Sequence, residues 1–141
     1  MESAIRYLVT LKMAGMSKHL EILKRYFMRN EPPWKIAELL GMRRLVVKGI
    51  AQYFRELLRA RTLPSDDQVR KLLDIVMPYI DCIPSYCIHH DNGLVRCTIC
   101  GEVVKYAEFR DHLRKHHQDL IEKITKSVMT KVISRLGVKL A

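Results

Sequence analysis

The sequence predicts a mainly α protein with one short stretch of β structure in its second half. Three observations carry this. Apolar residues recur at intervals of three and four over most of the 141 residues, the spacing of one buried helix face. Between Tyr86 and Arg96 that period gives way to a strand-turn-strand pattern centred on Asn92-Gly93, a dipeptide that supplies the positive φ values of a tight hairpin turn. Directly after it come Cys97, Cys100, His112 and His116, four metal-ligating side chains that a turn and a helix can bring to one point.

Glu2 to Met13 places Ile5, Leu8 and Val9 at helical spacing, and Gly15 ends that helix before a new start at Ser17. Leu20, Leu23 and Phe27 mark a second helix, which Asn30-Glu31-Pro32-Pro33 breaks. Trp34 to Leu40 is a short third helix entered through proline, whose fixed φ suits the first helical position, and Gly41 stops it. Arg44 to Arg59 is longer, with Val47, Ile50, Ala51, Phe54 and Leu58 on its buried face. Ser65 and Gln68 form a capping box for a fifth helix carrying Val69, Leu72, Leu73, Val76 and Met77. Pro78 and Pro84 are expected to halt it, leaving Tyr79 to Ser85 as a linker. Beyond the hairpin, Glu108 to Leu136 reads as helix with Leu120, Ile121, Ile124, Val128, Val132 and Leu136 on one side. These elements divide the chain into a helical domain over 1–80, a metal module over 86–117 and a C-terminal helix over 118–141.

The formal charge is +10 and 48% of the residues are hydrophobic, enough for a real core. The charge is uneven: +8 from Met1 to Thr62, −2 from Leu63 to Arg96 and +4 from Cys97 onward. A basic field concentrated in one half suits a phosphate backbone or another anionic surface. No apolar run approaches the roughly 20 residues that span a bilayer, and the start of the chain does not read as a signal peptide. The expectation is a soluble intracellular protein, cytoplasmic or nucleoid-associated, with its cysteines reduced.

Pro33 to Gln52 has a small residue, Ala37, where two helices would cross, a glycine, Gly41, four residues later, and Val47 and Ile50 to seat the second helix on the first. Ile36, Leu40 and Met42 fill the remaining buried slots. This segment resembles the helix-turn-helix of bacterial and archaeal-type DNA-binding regulators. The resemblance implies that the first part of the Arg44 helix enters the major groove, turning Arg43, Arg44, Lys48 and Gln52 towards bases or phosphates, with Lys35 and Arg55 flanking them on the backbone. Gly49, inside that helix, costs about 1 kcal/mol relative to alanine and would permit close approach to another backbone. No strand-rich wing follows.

The cysteines are spaced Cys-x2-Cys, followed after eleven residues by His-x3-His. A two-residue gap in a tight turn aims both thiolates inward, and histidines four apart share one helix face. The pattern resembles the C2H2-type zinc finger, a ββα unit, with Val95, Val104 and Phe109 at the family's small-core positions. The resemblance implies zinc held by Cys97, Cys100, His112 and His116, a closed site that stabilises a fold and has no open position for catalysis. The family usually has about twelve residues where this chain has eleven, so the helix start is rearranged, and His117 is a rival to His116. The positions that read bases in that family fall on Glu108, Asp111 and a residue near Lys105 or Tyr106; two acids there suit neither phosphates nor guanine.

Cys82 and Cys87, with His89 and His90 nearby, match no common metal spacing. The apolar side of the last helix either packs back on the N-terminal helices or forms a homodimer seam, which would suit binding to two half-sites. No phosphate-binding glycine loop, nucleophile elbow or open metal site points to an enzyme or a small-molecule substrate. The leading expectation is a zinc-containing DNA-binding regulator whose finger is structural or a protein-docking surface. An RNA or ribonucleoprotein-associated protein and a protein-interaction adaptor are the alternatives.

Overall fold

The computed structural model describes residues 1–140. Helix α1 (Glu2–Met13) turns at Gly15, φ 69°, into α2 (Ser17–Leu23), which runs on through a wider π turn over Lys24–Met28. Then come α3 (Pro33–Leu40), α4 (Arg44–Leu57) and α5 (Asp66–Asp81). Strands β1 (Cys87–His89), β2 (Leu94–Cys97) and β3 (Val103–Lys105) form an antiparallel sheet in that order. Two helices close the chain, α6 (Tyr106–His116) and α7 (Gln118–Leu140). The fold is mainly α, as the periodicity predicts.

Several boundaries follow from local chemistry. Pro33 occupies the first turn of α3, and Gly41 ends it in the left-handed region at φ 65°. The Ser65 hydroxyl accepts from the Gln68 amide at 3.2 Å while the Gln68 side chain accepts from the Ser65 amide at 2.9 Å, the reciprocal bonds of a capping box. Asn92 and Gly93 take φ 63° and 72° between β1 and β2. That turn sets Cys87 opposite Cys97 and His89 opposite Val95.

Three expectations need correction. Pro78 lies inside α5 instead of halting it, and the helix continues to Asp81. Pro78 is exposed, so water can satisfy the carbonyl that loses its helical partner, while burial of Ile80 and Ile83 draws the chain inward beyond it. The closing helix begins earlier, at Tyr106, and breaks at His117, whose φ −131° and ψ 30° are not helical. A third strand, β3, pairs with β2, so the Cys97–Cys100 turn lies between strands.

Two apolar clusters organise the packing. The smaller joins Ile22, Ile36, Ala37 and Val47, with Leu40, Met42 and Ile50 against it, and ties α2, α3 and α4 into a three-helix unit. The larger runs from α1 through Phe54 of α4 and Leu73 of α5 to Val95, Phe109, Leu113 and the α7 residues Ile121, Val128 and Val132. One continuous core therefore spans the helical segment, the sheet and the C-terminal helix. On the apolar side of α7, Ile121, Val128 and Val132 are buried in this core and Leu120, Ile124 and Leu136 are half-buried against it, with α1 and α5 as the packing neighbours, and the Arg6 guanidinium donates to Glu122 at 2.6 Å across the α1–α7 contact.

Candidate metal centre and basic helix face

The sheet and α6 converge on four side chains. Strand β2 ends at Cys97, whose amide donates to the Glu102 carbonyl at 2.9 Å while the Gly101 amide returns to the Cys97 carbonyl at 2.8 Å. Gly101 closes this turn at φ 80°, a value that glycine reaches without strain. The turn points Cys97 and Cys100 towards α6. There the Sγ of Cys100 lies 3.4 Å from Nε2 of His112, and the Sγ of Cys97 lies 3.5 Å from Nε2 of His117. The ligand atoms of Cys97, Cys100, His112 and His117 all fall within 4.8 Å of one another.

That spacing can hold a metal ion. For thiolate and imidazole bonds of about 2.3 and 2.0–2.1 Å at tetrahedral angles, each S···N edge would measure about 3.6 Å, close to the two distances observed. Cys97 and His112 are buried, while Cys100 faces solvent. The Glu102 carboxylate stands 3.6 Å from Nδ1 of His112, too far for a hydrogen bond but placed to favour a proton on that nitrogen and leave Nε2 as the ligand. Burial pushes the Cys97 thiol up, opposed by the backbone amides of Cys100 and Ile99. Burial also lowers the His117 imidazole, helped by the neighbouring His112 and His116 rings and opposed by Glu102, a shift towards the neutral form a metal needs.

The fourth member is thus His117, and His116 lies outside the group. His116 is the last residue of α6 and exposed to solvent, with its ring 5.0 Å from that of His112. His117 has left helical geometry, which frees its ring to reach back towards Cys97. Shortening the Cys100–His112 interval lets β3 feed directly into α6 at Tyr106, and the resulting setting of the helix favours the later histidine. Cys82 and Cys87 join no metal-binding group among the described residues.

Around the site, Val95 and Phe109 are fully buried and Val104 packs against them, as their spacing predicts. Of the positions that would read bases in a finger, Glu108 is exposed, Asp111 pairs with Arg114 at 2.9 Å, and the Tyr106 hydroxyl donates to the Gly15 carbonyl at 2.9 Å. The start of α6 is therefore docked against the α1–α2 turn.

No protein-family model, curated protein or solved structure matches the chain.

The basic residues singled out on α3 and α4 separate into two groups. Lys35, Arg43, Arg44 and Lys48 are exposed and form no ion pair among the described residues. Gln52 is exposed but bonded to Glu56 at 3.1 Å and to Arg55 at 3.0 Å. Arg55 is different: it pairs with Asp66 at the start of α5 and lies 5.6 Å over the Phe27 ring, which fixes it within the fold. A backbone contact from Arg55 would require breaking both.

Proposed function

We propose that this chain is a zinc-containing DNA-binding protein, a transcriptional regulator that contacts duplex DNA through the first turns of α4. The observation that carries the reading is the electrostatics of that helix start. Arg43 caps α4 and Arg44 opens it, with no acidic residue in the first turn. Cations there oppose the positive end of the helix dipole, a local conflict that a phosphate group would relieve. Lys48 lies one turn on along the same face of α4, and Lys35 adds an exposed cation on the preceding helix. The α2–α3–α4 packing around Ala37, Val47 and Gly41 is the support such a helix needs to be held outward.

Two thiolates and two imidazoles at tetrahedral spacing suit zinc best among the common metals. Cys97, Cys100, His112 and His117 would hold it and close its coordination sphere. Its role is structural: it pins α6 to the sheet, and through the shared core to the DNA-contacting helices.

A second reading rests on apolar exposure. Trp34, Leu39 and Leu45 are 53%, 55% and 78% exposed on α3 and α4, a surface that would also suit docking on another protein. Selecting bound duplexes from a random pool at two salt concentrations separates the two readings. The DNA reading predicts an enriched sequence class whose binding weakens steeply with salt. A pool that stays random at both concentrations would contradict it.

A further inference from the structure

A groove runs between α4 and the metal module, floored by α1. It holds two adjoining cavities of about 360 and 180 Å³ that share Tyr7, Tyr53 and Arg110. The larger is bounded by His19 and by Val46, Gly49 and Tyr53, which recur at helical spacing along one side of α4. Arg6 and Arg114 reach the smaller. No carboxylate lines either cavity.

The charges in this groove are not equivalent. Arg6 is held by Glu2 and Glu122, and Arg114 by Asp111. Arg110 has no carboxylate partner among the described residues, although it is half-buried, and its charge helps to lower the half-buried His19. Tyr7 and Tyr53 meet edge to face with centroids 5.1 Å apart, making a ridge with two phenols beside that cation. Gly49 completes the picture. A Cβ at Gly49 would meet nothing within 4 Å, so the glycine is not needed for packing inside this chain. Its effect is to leave the α4 wall of the groove open.

We propose that this groove binds a phosphodiester of the nucleic-acid backbone, with Arg110 of the metal module as the principal contact and Tyr7 and Tyr53 as hydrogen-bond donors. The proposal rests on the nucleic-acid reading of α4. Three features favour a backbone phosphate: a lining with cations and no acids, a guanidinium that is in contact with the Tyr7 phenol but has no carboxylate partner among the described residues, and an open cleft beside Lys48 rather than an enclosed pocket. It gives the metal module a direct part in binding, through the Arg110 side of α6, where Asp111 is occupied by Arg114 and neither Glu108 nor Asp111 lines the groove. It also accounts for a glycine in the interior of α4.

The test measures affinity for random-sequence duplex DNA across a chloride series, using the full zinc-loaded chain. Arg110→Gln should retain its zinc and melting temperature, bind more weakly, and give a plot of log affinity against log salt that is shallower by about one. Gly49→Leu should fill the cleft and weaken binding several-fold while its melting temperature holds or rises, since leucine is the better helix former. That combination cannot come from unfolding. Wild-type binding with an unchanged salt slope in Arg110→Gln would overturn this proposal alone. So would inorganic phosphate raising the melting temperature of the wild type but not of Arg110→Gln while the duplex slope stays unchanged, the mark of a small-anion site. No duplex binding by the wild type would overturn the α4 reading and this proposal together.

Discussion

The Tyr106 hydroxyl donates a 2.9 Å hydrogen bond to the Gly15 carbonyl, so the first residue of the metal-module helix is fastened to the turn between α1 and α2. The same turn receives the sheet: the Tyr86 amide donates to the Met13 carbonyl at 2.9 Å. Gly15 stands at φ 69°, and a Cβ there would lie 2.8 Å from the Cys87 Sγ and 2.9 Å from the Ser85 Oγ. The contact is consequently both hydrogen-bonded and sterically exact.

Gly15→Ala should therefore destabilise the fold by roughly 1–3 kcal/mol, from left-handed backbone strain and the clash together. Tyr106→Phe should cost about 0.5–1.5 kcal/mol, the usual net value of one hydrogen bond. Denaturant unfolding of the zinc-loaded chain measures both, and a Gly15→Ala variant as stable as the wild type would show that the turn is not packed this way.

The four-residue cluster that could hold a metal includes one of two adjacent histidines. His117→Ala should lower bound zinc well below one ion per chain and sharply reduce the melting temperature, because binding energy at such a site is folding energy. His116→Ala should leave both unchanged. Metal analysis after gel filtration decides, and the reverse pattern would restore His116 as the ligand.

His19 gives a pH signature. Burial, aided by the charge of Arg110, lowers its pKa, and the groups facing it are Tyr7 of α1, Tyr53 of α4 and Arg110 of α6. A depressed folded value means that the unfolded chain binds the proton more readily. Stability from this residue is full above the ordinary imidazole value of about 6.5 and is lost as pH falls through the folded value. His19→Gln should thus lose less melting temperature than the wild type on acidification over that range. The two proteins differ only at this residue, so parallel curves would refute the assignment.

Much of this architecture was legible in the sequence, and the exceptions have separate causes. Ala37, Gly41 and Val47 announce their helix pair because a crossing needs a small residue and a left-handed turn. Ser65, Gln68 and Asn92-Gly93 are local signals with local outcomes. Pro78 misleads because its penalty depends on whether the affected carbonyl reaches water, which is a matter of tertiary placement. Val103–Lys105 is too short for a strand period to register. The choice of His117 turns on one residue leaving the helix, while the spacing admits either histidine. Arg55 looked free because its partner, Asp66, belongs to the next helix.

The last helix tests the shared core. Ile121, Val128 and Val132 are buried against the rest of the chain, so Ile121→Ala or Val132→Ala should destabilise it by about 1–4 kcal/mol. Unfolding midpoints should not vary with protein concentration. A midpoint that rises with concentration would instead place these residues in an interface between copies.

In the proposed complex the exposed cations at the start of α4 grip duplex DNA. Fluorescence anisotropy of labelled duplex with the wild type and the Arg43→Ala, Arg44→Ala, Lys48→Ala triple variant across a salt series decides whether they do. Wild-type binding should fall steeply with salt, and the triple variant should lose binding with its zinc content and melting temperature unchanged. A triple variant that binds with wild-type affinity and salt slope would contradict the proposed contact.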